Sequence, residues 1–210
     1  MSGIGKTVTL CLVFIGIVLA AFVNSTLRTP QASEEQLREM GVFLLPRPRD
    51  LAPFELTDHN GAPFTNESLQ GRWSFIFFGF THCPDICPIS MSEMGKVAVA
   101  LPDEPDGAPF GGVLVSVDPE RDTPEKLKTY ATAFSKDFIG ATGSREALVE
   151  LTTQVNVAFA KIPDGEGGYT MDHTGNIVII NPRGHYHGFI KLPHKAETIR
   201  LAYQTLAASF

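Results

Sequence analysis

The first strongly apolar stretch of the chain runs from Thr7 to Val23 without a charged residue. Within it Leu10, Leu12, Val13, Phe14, Ile15, Ile17, Val18, Leu19 and Phe22 are too dense to form one amphipathic face. As a helix these positions make roughly 26 Å at 1.5 Å per residue, near the lower limit for crossing a bilayer core, and Asn24 to Leu27 extend it. A cleaved signal peptide is the rival, since Val18-Leu19-Ala20 offers small residues at cleavage positions. No polar cleavage region follows Ala20, so a retained anchor is expected over residues 1–27. Lys6 and the α-amine precede the span and Arg28 follows it, a thin charge bias that places the bulk of the chain outside the cytoplasm. The leader lacks the Arg-rich character of an organelle transit peptide, which points to a bacterial inner membrane with the domain in the periplasm.

After the leader the pattern changes. Arg28 to Asp50 carries Pro30, Pro46 and Pro48 with little periodicity, so residues 28–48 read as a tether and residues 49–210 as the folded domain. Leu51 to Thr57 with the Asp58-His59-Asn60-Gly61 turn suggests a short hairpin, and the apolar run Trp73 to Phe80 suggests a buried strand. Met94, Val97, Ala98 and Leu101 share one helical face. Val113 to Val117 reads as a second buried strand. Thr123 is placed to cap a helix whose first turn takes Pro124, and Ser144 to cap another. Ile177 to Ile180 and Tyr186 to Ile190 flank Asn181-Pro182-Arg183-Gly184, which is hairpin turn chemistry, and Ile199, Ala202, Tyr203 and Leu206 close the chain with a helix. Strands alternating with helices and ending in a hairpin predict an α/β sandwich around a central mixed sheet, a thioredoxin-like arrangement with an N-terminal hairpin extension.

Composition narrows the function classes. At 210 residues, 43% of them hydrophobic, the chain suits one domain with a segment outside its core. Its 17 basic and 23 acidic residues give a net charge of -6 with no basic run, which argues against nucleic acid as a partner. Of three cysteines, Cys11 lies in the apolar leader, where it serves as a small hydrophobe. Cys83 and Cys87, in Thr81-His82-Cys83-Pro84-Asp85-Ile86-Cys87-Pro88, stand where a buried strand turns into a helix. A helix N-terminus favours thiolate, the form that attacks disulfides and binds metals. If the first turn begins near Cys83, the four-residue spacing puts both sulfurs on one face. A plain structural disulfide is the simpler alternative.

Six histidines are available for a third ligand. His173, in Met171-Asp172-His173-Thr174, precedes the strand Ile177 to Ile180, whose leading loop lies against the redox helix in a thioredoxin-like sheet. His82, His185, His187 and His194 carry no comparable signal, although His185 and His187 alternate on a strand. Two thiolates with one imidazole suit a copper ion, Cu(I) or Cu(II), better than a structural zinc, which normally takes four protein ligands.

Taken together the residues resemble the Sco (SenC) family of copper-binding proteins linked to cytochrome c oxidase assembly. The match runs through Gly79 to Pro88, Ser116-Val117-Asp118-Pro119-Glu120-Arg121-Asp122-Thr123-Pro124, Gly143 to Glu146 and Asp172-His173-Thr174. The resemblance implies a thioredoxin-like fold and one copper held by Cys83, Cys87 and His173. It also implies delivery of copper to, or reduction of cysteines in, the binuclear copper site of oxidase subunit II, with a periplasmic thiol reductant or copper donor as a further partner. Asp118 and Arg121 match the family's acidic-and-basic segment, either beside the site or in a helix-start cap network; Asp85 is either a helix N-terminal anion or a tuning group. The Gly-rich loop Pro163 to Gly168 is expected to let His173 swing on and off the metal. Three functions follow: a metallochaperone, a thiol-disulfide oxidoreductase using Cys83 and Cys87, and a copper-dependent redox sensor. A peroxiredoxin-like peroxidase is disfavoured, because Ile76 and Phe80 stand where its motif has proline and threonine.

Overall fold

A computed structural model describes residues 3–27, 31–101, 108–165 and 167–210. The chain divides into two compact units, Met1–Pro30 and Gln31–Phe210.

In the first unit, Gly3–Leu27 is a helix, α1, with Leu10, Phe14 and Ile17 among its exposed side chains. Among the described residues, however, no helix is long and apolar enough to cross a membrane. The single-pass anchor expected over residues 1–27 is thus unsupported. The inner-membrane location with a periplasmic domain, which rested on that anchor, is corrected with it.

The second unit begins earlier than the sequence suggests. Residues 28–30 lie outside the described residues, but the rest of the expected tether is structured. Helix α2 (Glu34–Glu39) starts from a capping box in which the Ser33 hydroxyl accepts from Gln36 N and the Gln36 side chain accepts from Ser33 N. Strand β1 (Val42–Arg49) then pairs with a later strand of the main sheet, and Leu37 and Val42 are buried. Pro46 and Pro48 masked this strand in the sequence. They are tolerated because β1 is an edge strand, where a missing N–H costs no inner ladder bond.

The remaining elements are β2 (Glu55–Asp58), β3 (Pro63–Thr65), β4 (Trp73–Gly79), α3 (Ile86–Ala100), β5 (Phe110–Ser116), α4 (Pro124–Thr132), β6 (Ile139–Thr142), α5 (Arg145–Gln154), β7 (Phe159–Pro163), β8 (Tyr169–His173), β9 (Ile177–Ile180), β10 (Tyr186–Ile190) and α6 (Ala196–Ser209). One sheet has the order β1-β10-β9-β4-β5-β6-β2-β3, parallel across β4, β5 and β6 and antiparallel at its other pairings. This is the expected mixed sheet. The hairpin β2–β3 extends it at one edge, with Asp58 Oδ1 accepting from Asn60 N and Ala62 N to close the turn. Every residue of β4 is buried, as its continuous apolar run demands of a central strand covered on both faces. Thr123 and Ser144 cap α4 and α5 through their side-chain oxygens. Asn181 Oδ1 accepts from Arg183 N and His185 N in the β9–β10 turn. Strands β7 and β8 form a separate two-stranded sheet that the hydrophobic pattern did not indicate.

Candidate metal centre

The site begins where β4 leaves the sheet. After Gly79 the chain turns through Phe80 to Asp85, with Cys83 N donating to Phe80 O at 3.2 Å, and α3 starts at Ile86. Cys87 therefore lies in the first helical turn and is fully buried, whereas Cys83 sits in the preceding loop and is partly exposed. The two sulfurs do not share a helical face; the loop folds Cys83 back over the helix start. Gly79 makes room for this. A Cβ there would stand 2.9 Å from Cys87 Sγ and 2.9 Å from the Phe77 ring, so any larger residue displaces the buried sulfur.

His173 comes from the other sheet. It is the last residue of β8, not part of a loop leading into β9, and its Nε2 is 3.6 Å from Cys87 Sγ. Its Nδ1 faces Thr174 O at 3.3 Å, a contact that helps to orient the ring. The ring stands edge-on to Phe77 and Phe80, with centroids 5.7 and 5.9 Å away. The turn that joins β7 to β8 is at the opposite end of β8 from His173. The ligand atoms of Cys83, Cys87 and His173 all lie within 4.8 Å of one another. Among the described residues this is the one such group of three or more histidine, cysteine or carboxylate side chains.

The thiols are strongly unequal. The hydrogen bond from Cys87 lowers Cys83 to about 4, helped by His173 and by the Asp85 and Cys87 amides and opposed by burial. The same bond, with burial, pushes Cys87 up. Cys83 is thus the thiolate and Cys87 the thiol that donates to it. The sequence assigned this activation to the helix N-terminus; the larger cause is the neighbouring thiol. A cleft of about 190 Å³ opens onto Cys83 and His173, with Pro84, Asp85 and Asp172 on its walls.

Asp85 occupies the N-cap of α3 without a side-chain cap bond, so it is no capping anion. Asp118 and Arg121 do more than start a helix. The Arg121 Nε donates to Asp118 Oδ2, its Nη1 donates to Tyr169 O at 2.9 Å, and Tyr169 OH donates to Asp118 Oδ1 at 2.9 Å. Asp122, to which no sequence signal gave a role, is buried and accepts from Thr81 N, Thr81 Oγ1 and Ser116 Oγ, fixing the loop before Cys83. The other histidines stay out of the site. His82 Nδ1 lies 3.1 Å from Thr81 Oγ1, His194 Nδ1 lies 2.8 Å from Ser90 Oγ, and His59 accepts from Gly140 N. His185 faces Asp50, while His187 meets Asn181 and the edge of Trp73, so those two have separate partners.

Two sulfurs and an imidazole form a soft, open set that suits copper, and the fourth protein ligand of a structural zinc is missing from the group. Comparison with known proteins agrees with this geometry. The SCO1/SenC family model matches residues 46–208. A Stutzerimonas stutzeri protein named for copper binding is 42% identical over 164 residues, covering 78% of this chain and 80% of that protein. Among solved structures, Bradyrhizobium japonicum ScoI with copper bound is 34% identical with a TM-score of 0.62, covering 75% of this chain and 99% of that one. Arabidopsis thaliana ScoI with copper bound is 28% identical with a TM-score of 0.70, covering 76% and 98%. The chain belongs to the SCO1/SenC family.

Proposed function

We propose that this chain binds one copper ion through Cys83, Cys87 and His173 and delivers it to the binuclear copper site of cytochrome c oxidase subunit II. The observation that carries the reading is the convergence of two sulfurs and an imidazole within 4.8 Å. The ion is cargo. Cys83, already a thiolate, is the first ligand to engage; Cys87 releases its proton as the second sulfur binds, and His173 closes the set. Partial exposure of Cys83 and the open cleft give an incoming ligand of the acceptor access to the ion. The link to oxidase assembly comes from the family; the donor set supports copper itself.

A second reading is favoured by the unequal thiols. Cys83 thiolate attacks a partner disulfide, forming a mixed disulfide and releasing one partner thiolate, which takes up a proton. Cys87, once deprotonated, attacks Cys83 Sγ and expels the second partner thiolate, which is protonated in turn. The partner gains two electrons, and Cys83 and Cys87 become a disulfide. To separate the readings, copper-loaded and metal-free protein are each mixed with an apo subunit II domain while copper and disulfide content are followed. Metal transfer without a change in disulfides supports the chaperone. Reduction of the acceptor disulfide by metal-free protein, with no transfer from the loaded form, rejects it in favour of the reductase.

A further inference from the structure

We infer that Arg121, paired with Asp118, is a positioning residue for His173, fastening the β7–β8 hairpin to the loop that carries Cys83. The inference rests on the three-ligand reading above and names what holds its third member in place.

The hairpin has no ladder to the eight-stranded sheet, so its position depends on other contacts. At its base, Thr174 N donates to Ala158 O and Ala158 N donates to Thr174 Oγ1. Those bonds fix a pivot, not a direction. The direction is set by the β5–α4 connection. There the Arg121 fork donates one way to Asp118 and the other to the Tyr169 carbonyl, with Tyr169 OH returning to the second Asp118 oxygen. The guanidinium lies over the Tyr169 ring at 3.9 Å, and Lys161, paired with Glu120, lies over that ring at 3.8 Å. Both strands of the hairpin are therefore held by this connection, β8 through Tyr169 and β7 through Lys161.

The same guanidinium lies over the Phe80 ring at 5.7 Å, and Phe80 stands edge-on to His173. Phe80 O also accepts from Cys83 N. One cation thus contacts the aromatic residue that begins the cysteine loop and the strand that ends in the histidine. Asp118 is 2% exposed, and its carboxylate is satisfied mainly by partners that bind the hairpin. An ion pair needed only to start α4 has no reason to reach Tyr169, 48 residues further along the chain.

The test is a cycle of variants read as Cu(I) affinity, measured by competition with a chromophoric Cu(I) chelator. Asp118→Asn and Arg121→Met are made together, so that no buried charge is stranded, in the natural chain and in a His173→Ala background. Loss of a group that orients a metal ligand weakens binding by about 10-fold or more. The expected result is that loss in the natural chain and none beyond it in the His173→Ala background. Equal losses in both backgrounds, or none in either, overturn the inference, because the clasp then acts on the fold or not at all. If His173→Ala alone leaves affinity unchanged, the three-ligand reading itself fails, and the positioning role falls with it. Should the paired variant not fold, Tyr169→Phe, which removes only the hydroxyl, enters the same cycle with an expected loss of about 3-fold confined to the natural chain.

Discussion

The cysteines and the histidine of the candidate site are held in opposite ways. Cys87 is packed beneath β4, every residue of which is buried, and Cys83 is folded over it by a loop that Asp122 anchors through Thr81. His173 ends a ribbon outside that sheet, held by a pivot at Ala158 and Thr174 and by the Arg121 clasp. Of the two sulfurs, that of Cys87 is fixed by the core of the protein. The imidazole half is held by a few polar contacts, each worth about 1 kcal/mol, and by one buried residue, Met171. A protein that must take up an ion and release it gains from this division, because removing one ligand of three loosens the metal while the other two still hold it.

The largest break in the comparison is expected from the buried half. Cys87→Ser should lower Cu(I) affinity by roughly 1,000-fold or more, since it removes a thiolate ligand from a set with no spare donor. Chelator competition measures it. Retention within about 10-fold would mean that another group replaces the sulfur.

Next in size is the chemical inequality of the thiols. With Cys83 lowered to about 4 and Cys87 pushed above the ordinary thiol range, iodoacetamide at neutral pH should modify Cys83 at least about 100-fold faster than Cys87 in the metal-free protein. The Cys83 rate should hold as pH falls toward 4 and drop below it. The thiolate's contribution to stability has the same sign. It is present above the unfolded thiol's value and diminishes as pH falls toward the folded one; the raised Cys87 works oppositely at alkaline pH. Mass spectrometry of the alkylated peptides, together with unfolding midpoints across pH, checks both. A Cys83 rate that rises tenfold per pH unit between 6 and 8 would show an ordinary thiol.

How far each half could be read from the sequence follows the same division. The strand β4 announces itself because all of its positions are apolar, and Thr123, Ser144 and Asn181 mark their caps and turn by chemistry that acts over a few residues. Cys83 and Cys87 were legible for that reason, although the cause of their inequality was not. The ribbon was illegible. Of the residues in β7 and β8 only Met171 is buried, so neither strand shows an apolar alternation, and Asp118 finds Tyr169 through a separation that no local pattern encodes. The prolines of β1 hid an edge strand in the same way. His173 was reached through the expected thioredoxin-like fold and the family resemblance, and α1, whose apolar density suggested a crossing, does not meet the requirement for one among the described residues.

Gly79→Ala probes how tightly the sulfur half is packed. The added methyl would meet Cys87 Sγ and Phe77 at 2.9 Å, and overpacking of this kind costs about 1 to 3 kcal/mol. Both the unfolding midpoint and Cu(I) affinity should fall together, the affinity by about 10-fold. A change in one without the other would show that the sulfur is not locked to the core.

Thr174→Val is the smallest and most selective of these changes. It keeps the shape of the side chain and the bond from Thr174 N to Ala158 O, and removes only the oxygen that accepts from Ala158 N. It also leaves Thr174 O in place for His173 Nδ1. Because Ala158 is exposed, water can satisfy the freed N–H, so the cost to folding should stay within about 0.5 kcal/mol. The pivot of the ribbon nevertheless loses one of its two bonds, and Cu(I) affinity should fall by about 3-fold. This outcome would separate it from Gly79→Ala, which lowers both: here metal binding is weakened and the unfolding midpoint nearly unmoved. A lowered midpoint with unchanged affinity would mean that the pivot serves the fold, and that His173 is placed by the clasp alone.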